Sequence, residues 1–345
     1  MERENITIVR EFIIVGFPGS LKLRIILFLT FLFIYIITCM GNVVIITVIR
    51  SDHHLHTPMY FFISNLSFLE LWYTSSTIPK LLAIFLSGRG TISFSGCIFQ
   101  LYFVLSLGVT ENFLLAAMSY DRYVAICNPL RYTFLMSKRV CIKLVIGCWF
   151  SGFMSIVMPT VLISRLPYCA SNVINHFFCD LSPLIQLSCS DTHVLQKFNL
   201  ITAIVVILGT FFMIAVSYIY IVSTILRIKS SVGRKKAFST CASHLMVVLL
   251  YYSSIIFMYI RPKADSSLES NKVMAVFCCI VTPLLNPIIY SLRNKNVKHA
   301  LNKRITRKCA VISSTTKKKK EAWGQYEQVK ETTMWLKEQK DKAKI

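Results

Sequence analysis

Apolar residues in this chain gather into long runs instead of recurring every second, third or fourth position. Ile25 to Ile49, Phe198 to Leu226 and Val273 to Leu292 contain no charged residue. Each is long enough to carry an α-helix across a hydrocarbon core of about 30 Å, which takes about 20 residues. Four further stretches hold one ionisable group each: Pro58 to Pro79 with Glu70, Ile98 to Tyr120 with Glu111, Val140 to Ser164 with Lys143, and Ala237 to Ile260 with His244. A helix in a soluble core would show a polar face, and these show almost none. The pattern therefore predicts seven spans, 25–49, 58–79, 98–120, 140–164, 198–226, 237–260 and 273–292. Lipid satisfies no free backbone group, so the expected fold is an all-α membrane protein, a seven-transmembrane helix bundle over residues 25–292.

Composition agrees: 54% of the 345 residues are hydrophobic and 16% charged, against roughly 45–50% and 25% in a soluble domain. Seven spans put the termini on opposite sides. With the N-terminus outside, the outer segments hold 11 Lys and Arg and the inner segments 25, or 16 without the nine lysines after residue 309. Positive charge is retained on the cytoplasmic side, so residues 1–24 are extracellular and the C-terminus is cytoplasmic. Asn5-Ile6-Thr7 adds a glycosylation sequon at Asn5. Residues 1–24 lack the apolar centre of a cleaved signal peptide, so the first span itself directs insertion. After a basic segment at 293–309, residues 310–345 form a polar tail with nine Lys and five acids, which reads as disordered or lipid-skimming. The net charge of +22 is dispersed among hydrophobic segments and densest at their inner ends. It points to membrane lipids, the anionic inner leaflet above all, and away from nucleic acid.

Cys97, Cys169, Cys179 and Cys189 lie on the oxidising side and allow three pairings. A bridge from Cys97 to the loop between spans four and five would tie that loop over the helix ends. Ionisable groups inside a membrane are costly and point to function. Glu70 and Glu111 sit near mid-span, with Asn42, Ser67, Asn112 and Asn286 on neighbouring spans. Facing one another, two carboxylates require a shared proton or a cation such as sodium; otherwise each only bonds across helices as packing. Asp121-Arg122-Tyr123 ends span three. There Arg122 pairs with Asp121, turns to a polar group elsewhere, or is uncovered for a partner protein. Pro283, Asn286 and Pro287 interrupt the backbone ladder of span seven and mark a hinge. No catalytic constellation, phosphate loop, cofactor motif or metal-ligand spacing appears, so the chain is read as no enzyme. The outer halves of spans three, five and six offer Val104, Leu105, Gly108, Val109, Thr202, Ala203, Val206, Ile207, Tyr252, Ile255, Ile256 and Tyr259. This lining suits a small, volatile or lipophilic organic molecule, and would equally serve interhelical packing.

Six signatures in order resemble the olfactory (odorant) receptors of the rhodopsin-like G-protein-coupled class. They are Gly41-Asn42; Leu55-His56-Thr57-Pro58-Met59-Tyr60-Phe61-Phe62; Met118 to Leu130, reading Met-Ser-Tyr-Asp-Arg-Tyr-Val-Ala-Ile-Cys-Asn-Pro-Leu; Ser217-Tyr218; Lys236 to Leu245; and Pro283 to Asn294. The resemblance covers about residues 10–308. It implies odorant-dependent activation of a stimulatory olfactory-type G protein, a rise in cyclic AMP, and a place in the plasma membrane of sensory-neuron cilia. It also implies Cys97 bridged to Cys179 and Cys169 to Cys189. Asp121, Arg122, Tyr123, Tyr218, Asn286, Pro287 and Tyr290 become the coupling switch. Asn42, Glu70, Glu111 and Asn286 become the polar cluster for sodium or a proton, and Tyr252 the aromatic residue beneath the ligand. Two departures stand out: Tyr251-Tyr252-Ser253 where many members read Phe-Tyr-Gly, and the tail, since members usually end near residue 310 to 320.

Three rivals are weighed. A secondary transporter would show repeated halves, which are not seen. A retinal pigment would need a lysine inside span seven, and Lys272 lies at its edge. A receptor for a non-odorant small molecule in another tissue is the alternative.

Overall fold

The computed structural model describes residues 9–169, 171–260, 268–292 and 295–342. Asn5 lies outside them, as do the side chains of Ile256 and Tyr259. The bundle helices are α1 (Leu21–Ser51), α2 (Pro58–Ser87), α3 (Phe94–Cys127), α5 (Lys138–Ser164), α7 (His193–Leu226) and α8 (Ser231–Ile260). The last span is composite: α9 (Leu268–Val276), a π turn over Phe277–Val281 and α10 (Thr282–Leu292). Two short helices, α4 (Tyr132–Leu135) and α6 (Leu181–Gln186), lie in connections. Several helices outrun the apolar runs that predict them, because water and caps satisfy their ends beyond the hydrocarbon. Ser20 and Ser93 cap α1 and α3 by accepting from the backbone N–H of Leu23 and Gly96, and Pro58 opens α2.

Among the described residues five helices are long and apolar enough to cross a membrane, Lys272–Tyr290 included, and α8 makes a sixth if its halves, bent by 42°, count as one. The remaining crossing, α2, is 30 residues long. Glu70 and its serines and threonines dilute its apolar content, yet it packs between α1 and α3. The centre belongs to α3, which touches α2, α5, α7 and α8. Its most apolar window is 67% buried, against 17% for α7. Ile201, Val205, Leu208 and Phe212 of α7 are exposed, the face a bilayer covers. Close approach depends on small residues: a Cβ at Gly152 of α5 would sit 2.0 Å from Thr110 Oγ1 of α3, and one at Gly41 would sit 3.0 Å from Cβ of Pro287.

A lid closes one end of the bundle. Strand β1 (Glu11–Ile14) pairs antiparallel with β2 (Gly90–Ser93), Glu11 opposite Ser93, and parallel with β3 (Val173–Ile174), Ile13 opposite Val173. Period-two alternation turns Phe12 and Ile14 into a core with Cys97, Leu101, Tyr168, Ile174 and Cys179. The first 24 residues read as a polar segment. Four alternating residues are too few to announce a strand, and β1 is held only by partners distant in sequence.

Residues after 294 form a separate compact unit, one helix α11 (Lys295–Lys342) of 48 residues. Residues 310–345, read from composition as disordered or lipid-skimming, belong to this helix as far as Lys342. Polar composition argues against a packed core, but Lys, Glu, Gln and Ala are also good helix formers.

Candidate functional site

Below the lid, α8 is tied to both α3 and α7 by adjacent tyrosines about 100° apart on the helix. The Tyr252 hydroxyl donates to Thr210 Oγ1 of α7 at 2.8 Å. The Tyr251 hydroxyl donates to the Gly108 carbonyl of α3 at 3.0 Å and accepts from Asn112 Nδ2 at 2.8 Å. Val104, Tyr252 and Ile255 are buried, while Leu105, Gly108, Val109, Thr202, Ala203, Val206 and Ile207 are half-buried. A Cβ at Gly108 would meet no atom of the described residues within 4 Å, so among them space opens beside α3 there. Thr210, Tyr251 and Asn112 were missing from the predicted lining. Helical spacing offered a signal, since Thr210 follows Val206 and Asn112 follows Gly108 by one turn.

Deeper in the bundle, Asn286 Nδ2 of α10 donates to Glu70 Oε1 of α2. Asn42 of α1 faces the same carboxylate, and Glu111 of α3 lies nearby. All four residues are buried. Glu70 Oε2, Asn42 Oδ1, Asn286 Oδ1 and Glu111 Oε1 have no hydrogen-bond partner among the described residues. Buried acceptors left bare are costly, and a cation, a proton or water would satisfy them.

At the end opposite the lid, Arg122 pairs with Asp121 at 3.0 Å, and the Tyr132 hydroxyl of α4 donates to Asp121 at 2.8 Å. Tyr123 meets Tyr220 of α7 edge-on at 5.9 Å. His244 Nε2 lies 3.2 Å from the Leu115 carbonyl, so that nitrogen carries the proton and Nδ1 accepts from the Tyr218 hydroxyl at 2.8 Å. Three helices, α3, α7 and α8, are thereby latched through one imidazole. His244 was noted only as a histidine within a span, because its partners come from other helices. A cavity of about 350 Å³ opens beside the latch, lined by Tyr218, Ile221 and Ile225 of α7 and by Lys235, Phe238 and Cys241 of α8. Pro287 lies within α10, and the Tyr290 hydroxyl is buried without a partner among the described residues.

The lid is pinned at several points. Cys97 is bridged to Cys179 and Cys169 to Cys189. Gln100 of α3 accepts from the Cys179 backbone N–H at 2.9 Å and donates to the Ser76 carbonyl of α2 at 2.8 Å. Lys272 donates to the Gly16 carbonyl at 2.9 Å. His176 is buried against Phe177 and Phe178, and its Nδ1 accepts from the Phe178 N–H. Burial pushes this imidazole below its ordinary value; Asp180 pulls it up and Lys272 adds to the fall. An opened lid therefore binds more protons, so the contribution of His176 is complete above the unfolded value of about 6.5 and is lost as pH falls below it. Amide exchange across residues 172–180, corrected for intrinsic rate, should speed up between about pH 7.5 and 5.5. His176→Phe should flatten that dependence, and a flat profile in the parent protein would remove His176 from this role.

The family model described as "Olfactory receptor" matches residues 31–308. Olfactory receptor 11L1 of Homo sapiens is 52% identical over 319 residues, covering 92% of this chain and 99% of the relative. Olfactory receptor 6F1 of Homo sapiens is 51% identical over 88% of this chain and 99% of its own length. Olfactory receptor 287 of Rattus norvegicus is 51% identical over 88% and 97%. Among solved structures, squid rhodopsin superposes with a TM-score of 0.65 at 18% identity, covering 83% of this chain and 82% of that one. At that identity the likeness concerns the fold alone.

Proposed function

The chain belongs to the olfactory receptor family, and from that footing we propose that it binds a small, largely apolar odorant beneath the lid and activates a stimulatory olfactory-type G protein. A rise in cyclic AMP in the cilia of sensory neurons is the outcome. The family consists of multi-pass membrane receptors, not enzymes, and has small-molecule ligands and a G protein as partners. The observation that carries the ligand reading is the open space at Gly108, beside a tyrosine pair tied to α3 and α7. Shape and one or two hydroxyls select the ligand there.

The lid faces outside and the Arg122 end faces the cytoplasm, a reading supported by the excess of inner Lys and Arg. Ligand occupancy favours one packing of α3, α7, α8 and the α9–α10 span, and the cavity beside Tyr218 widens to admit the G protein. Binding shifts this equilibrium only by its differential affinity for the two packings, about 1.4 kcal/mol per tenfold. The four bare oxygens around Glu70 and Glu111 form a set of hard donors that suits a sodium ion or a retained proton, each of which stabilises one packing over the other.

A cyclic AMP reporter screen against a varied odorant panel, with surface labelling, tests the proposal. Gly108→Leu should raise the half-effective concentration of an active odorant by about tenfold or more, equal to ~1.4 kcal/mol, without changing display. Unchanged potency in that variant would place the ligand elsewhere. A displayed receptor silent toward every compound, beside a responsive relative, would reject the function.

A further inference from the structure

Around the space at Gly108, hydrogen-bond donors and acceptors are unequally spent. Asn112 lies one turn farther from the lid on the same face of α3 and is 4% exposed. Its amide nitrogen has two protons to give. One goes to the Gly108 carbonyl at 2.9 Å and the other to the Tyr251 hydroxyl at 2.8 Å. A carbonyl only accepts, so the nitrogen is fixed on that side and the amide cannot be turned round. Asn112 Oδ1 is left buried, with no hydrogen-bond partner among the described residues.

The neighbouring hydroxyls have no proton to offer it. Tyr251 donates to the Gly108 carbonyl, Tyr252 to Thr210 Oγ1, Thr210 to the Val206 carbonyl at 2.6 Å and Thr202 to the Phe198 carbonyl at 2.9 Å. Among the described residues of this lining, every side-chain N–H and O–H is therefore committed while one acceptor stands bare. Ser106 Oγ also lacks a partner among the described residues, but it precedes Thr110 by one turn, on the face of α3 turned to Gly152 of α5. Glu111 Oε1 belongs to the cluster around Glu70.

An odorant that only accepts, such as an aldehyde, ketone, ester or ether, sets its lone pairs against Asn112 Oδ1 or leaves that oxygen unpaired in an apolar site. A hydroxyl brings the missing proton. A site whose buried polar group is satisfied by the ligand alone discriminates against analogues that lack the matching group. On the reading that the odorant occupies the space at Gly108, we propose that this receptor selects alcohols and phenols, and that Asn112 Oδ1 accepts the proton of the ligand hydroxyl. The carbon frame then extends toward the lid past Val104 and Leu105, and Asn112 determines specificity by chemistry where the aliphatic lining determines it by shape.

The test applies matched sets of equal size to the displayed receptor in the cyclic AMP reporter: octanol, octanal and heptyl methyl ether; phenylethanol, phenylacetaldehyde and benzyl methyl ether; cyclohexylmethanol, its aldehyde and cyclohexyl methyl ether. On each frame that activates, the alcohol should be about tenfold or more as potent as its aldehyde and ether. Asn112→Leu should bring the alcohol down to the potency of the ether and leave the ether unchanged, whereas a purely structural role would weaken both alike and reject the assignment. Ser106→Ala should leave the ratio intact; a ratio lost there and kept in Asn112→Leu overturns the proposal. A ligand-side measurement needs no variant: octanol fluorinated beside its carbinol carbon is a stronger donor and weaker acceptor, and should be more potent than octanol. A weaker response to it, or aldehydes and ethers that match their alcohols, overturns the selection while leaving odorant reception in place. Silence on every frame beside a responsive relative rejects the odorant reading itself, and the selection with it.

Discussion

Arg122→Ala silences the receptor: odorant-stimulated cyclic AMP falls to background while labelling of the outer surface persists. Arg122 lies at the end of α3 opposite the lid, 9% exposed, and pairs with the fully buried Asp121. Its Nε has no partner among the described residues, and Tyr218, His244, Cys241 and Tyr290 lie near it. The guanidinium therefore stands near residues of α7, α8 and α10 at the end of α3, held by one ion pair. In the proposed switch, widening of the cavity near Tyr218 makes Arg122 the cation presented to a partner. Removing it strips the site of its charge and leaves Asp121 with Tyr132 alone, a loss of about 3–5 kcal/mol if the carboxylate stays ionised. Asp121→Asn separates switching from folding. It frees Arg122 while Tyr132 retains an amide partner, and should raise ligand-independent signalling by about tenfold, ~1.4 kcal/mol in favour of the open packing. Basal signalling that stays at the parent level in Asp121→Asn, with display intact, would make the pair a structural fixture.

Cys97→Ser and Cys179→Ser should each empty the cell surface of receptor, and the double variant should be no worse than either alone. The bridge spans 82 residues of sequence, and losing such a bond costs about 2–5 kcal/mol. Here the loss falls on the lid core, where both cysteines are fully buried with Phe12, Ile14 and Ile174. The bond to Cys179 and the hydrogen bond from its N–H to Gln100 hold one strip of the lid loop against α3. Without the bridge, β3 loses its anchor and β1 loses a partner, so the fault spreads to the N-terminal segment. Cys169→Ser should be milder, because its bridge closes only 20 residues within the loop. Surface labelling and thermal inactivation of the solubilised receptor measure both. Full display of Cys97→Ser would show the lid to be held by its sheet alone.

Different parts of the molecule were legible for different reasons. The membrane crossings could be read from composition within each segment, since a bilayer imposes the same demand on about 20 consecutive residues whatever lies beside them. Glu70, Glu111, Asn286 and Arg122 announced themselves because ionised and amide groups are rare in such segments. The partners of these residues were less accessible. Nothing near Glu70 in sequence points to Asn286, and nothing near His244 points to Tyr218 or the Leu115 carbonyl. Strand β1 had four residues to signal itself and is completed by β2 and β3 from remote segments. In the tail two signals point different ways: polarity denies it a packed core, while its Lys, Glu, Gln and Ala residues favour the helix locally.

Segment-level hydrophobicity and the sign of flanking charge were thus enough for the bundle, its expected orientation and the polar positions worth watching, because those depend on solvent acting on each stretch separately. Which helix lies next to which, that Gly152 admits Thr110, that Gln100 joins two helices to a bridged loop, and that one imidazole latches three helices emerged only from the packed chain. Such contacts depend on relative rotation and depth of helices, and a one-residue change of about 100° would redirect every side chain involved.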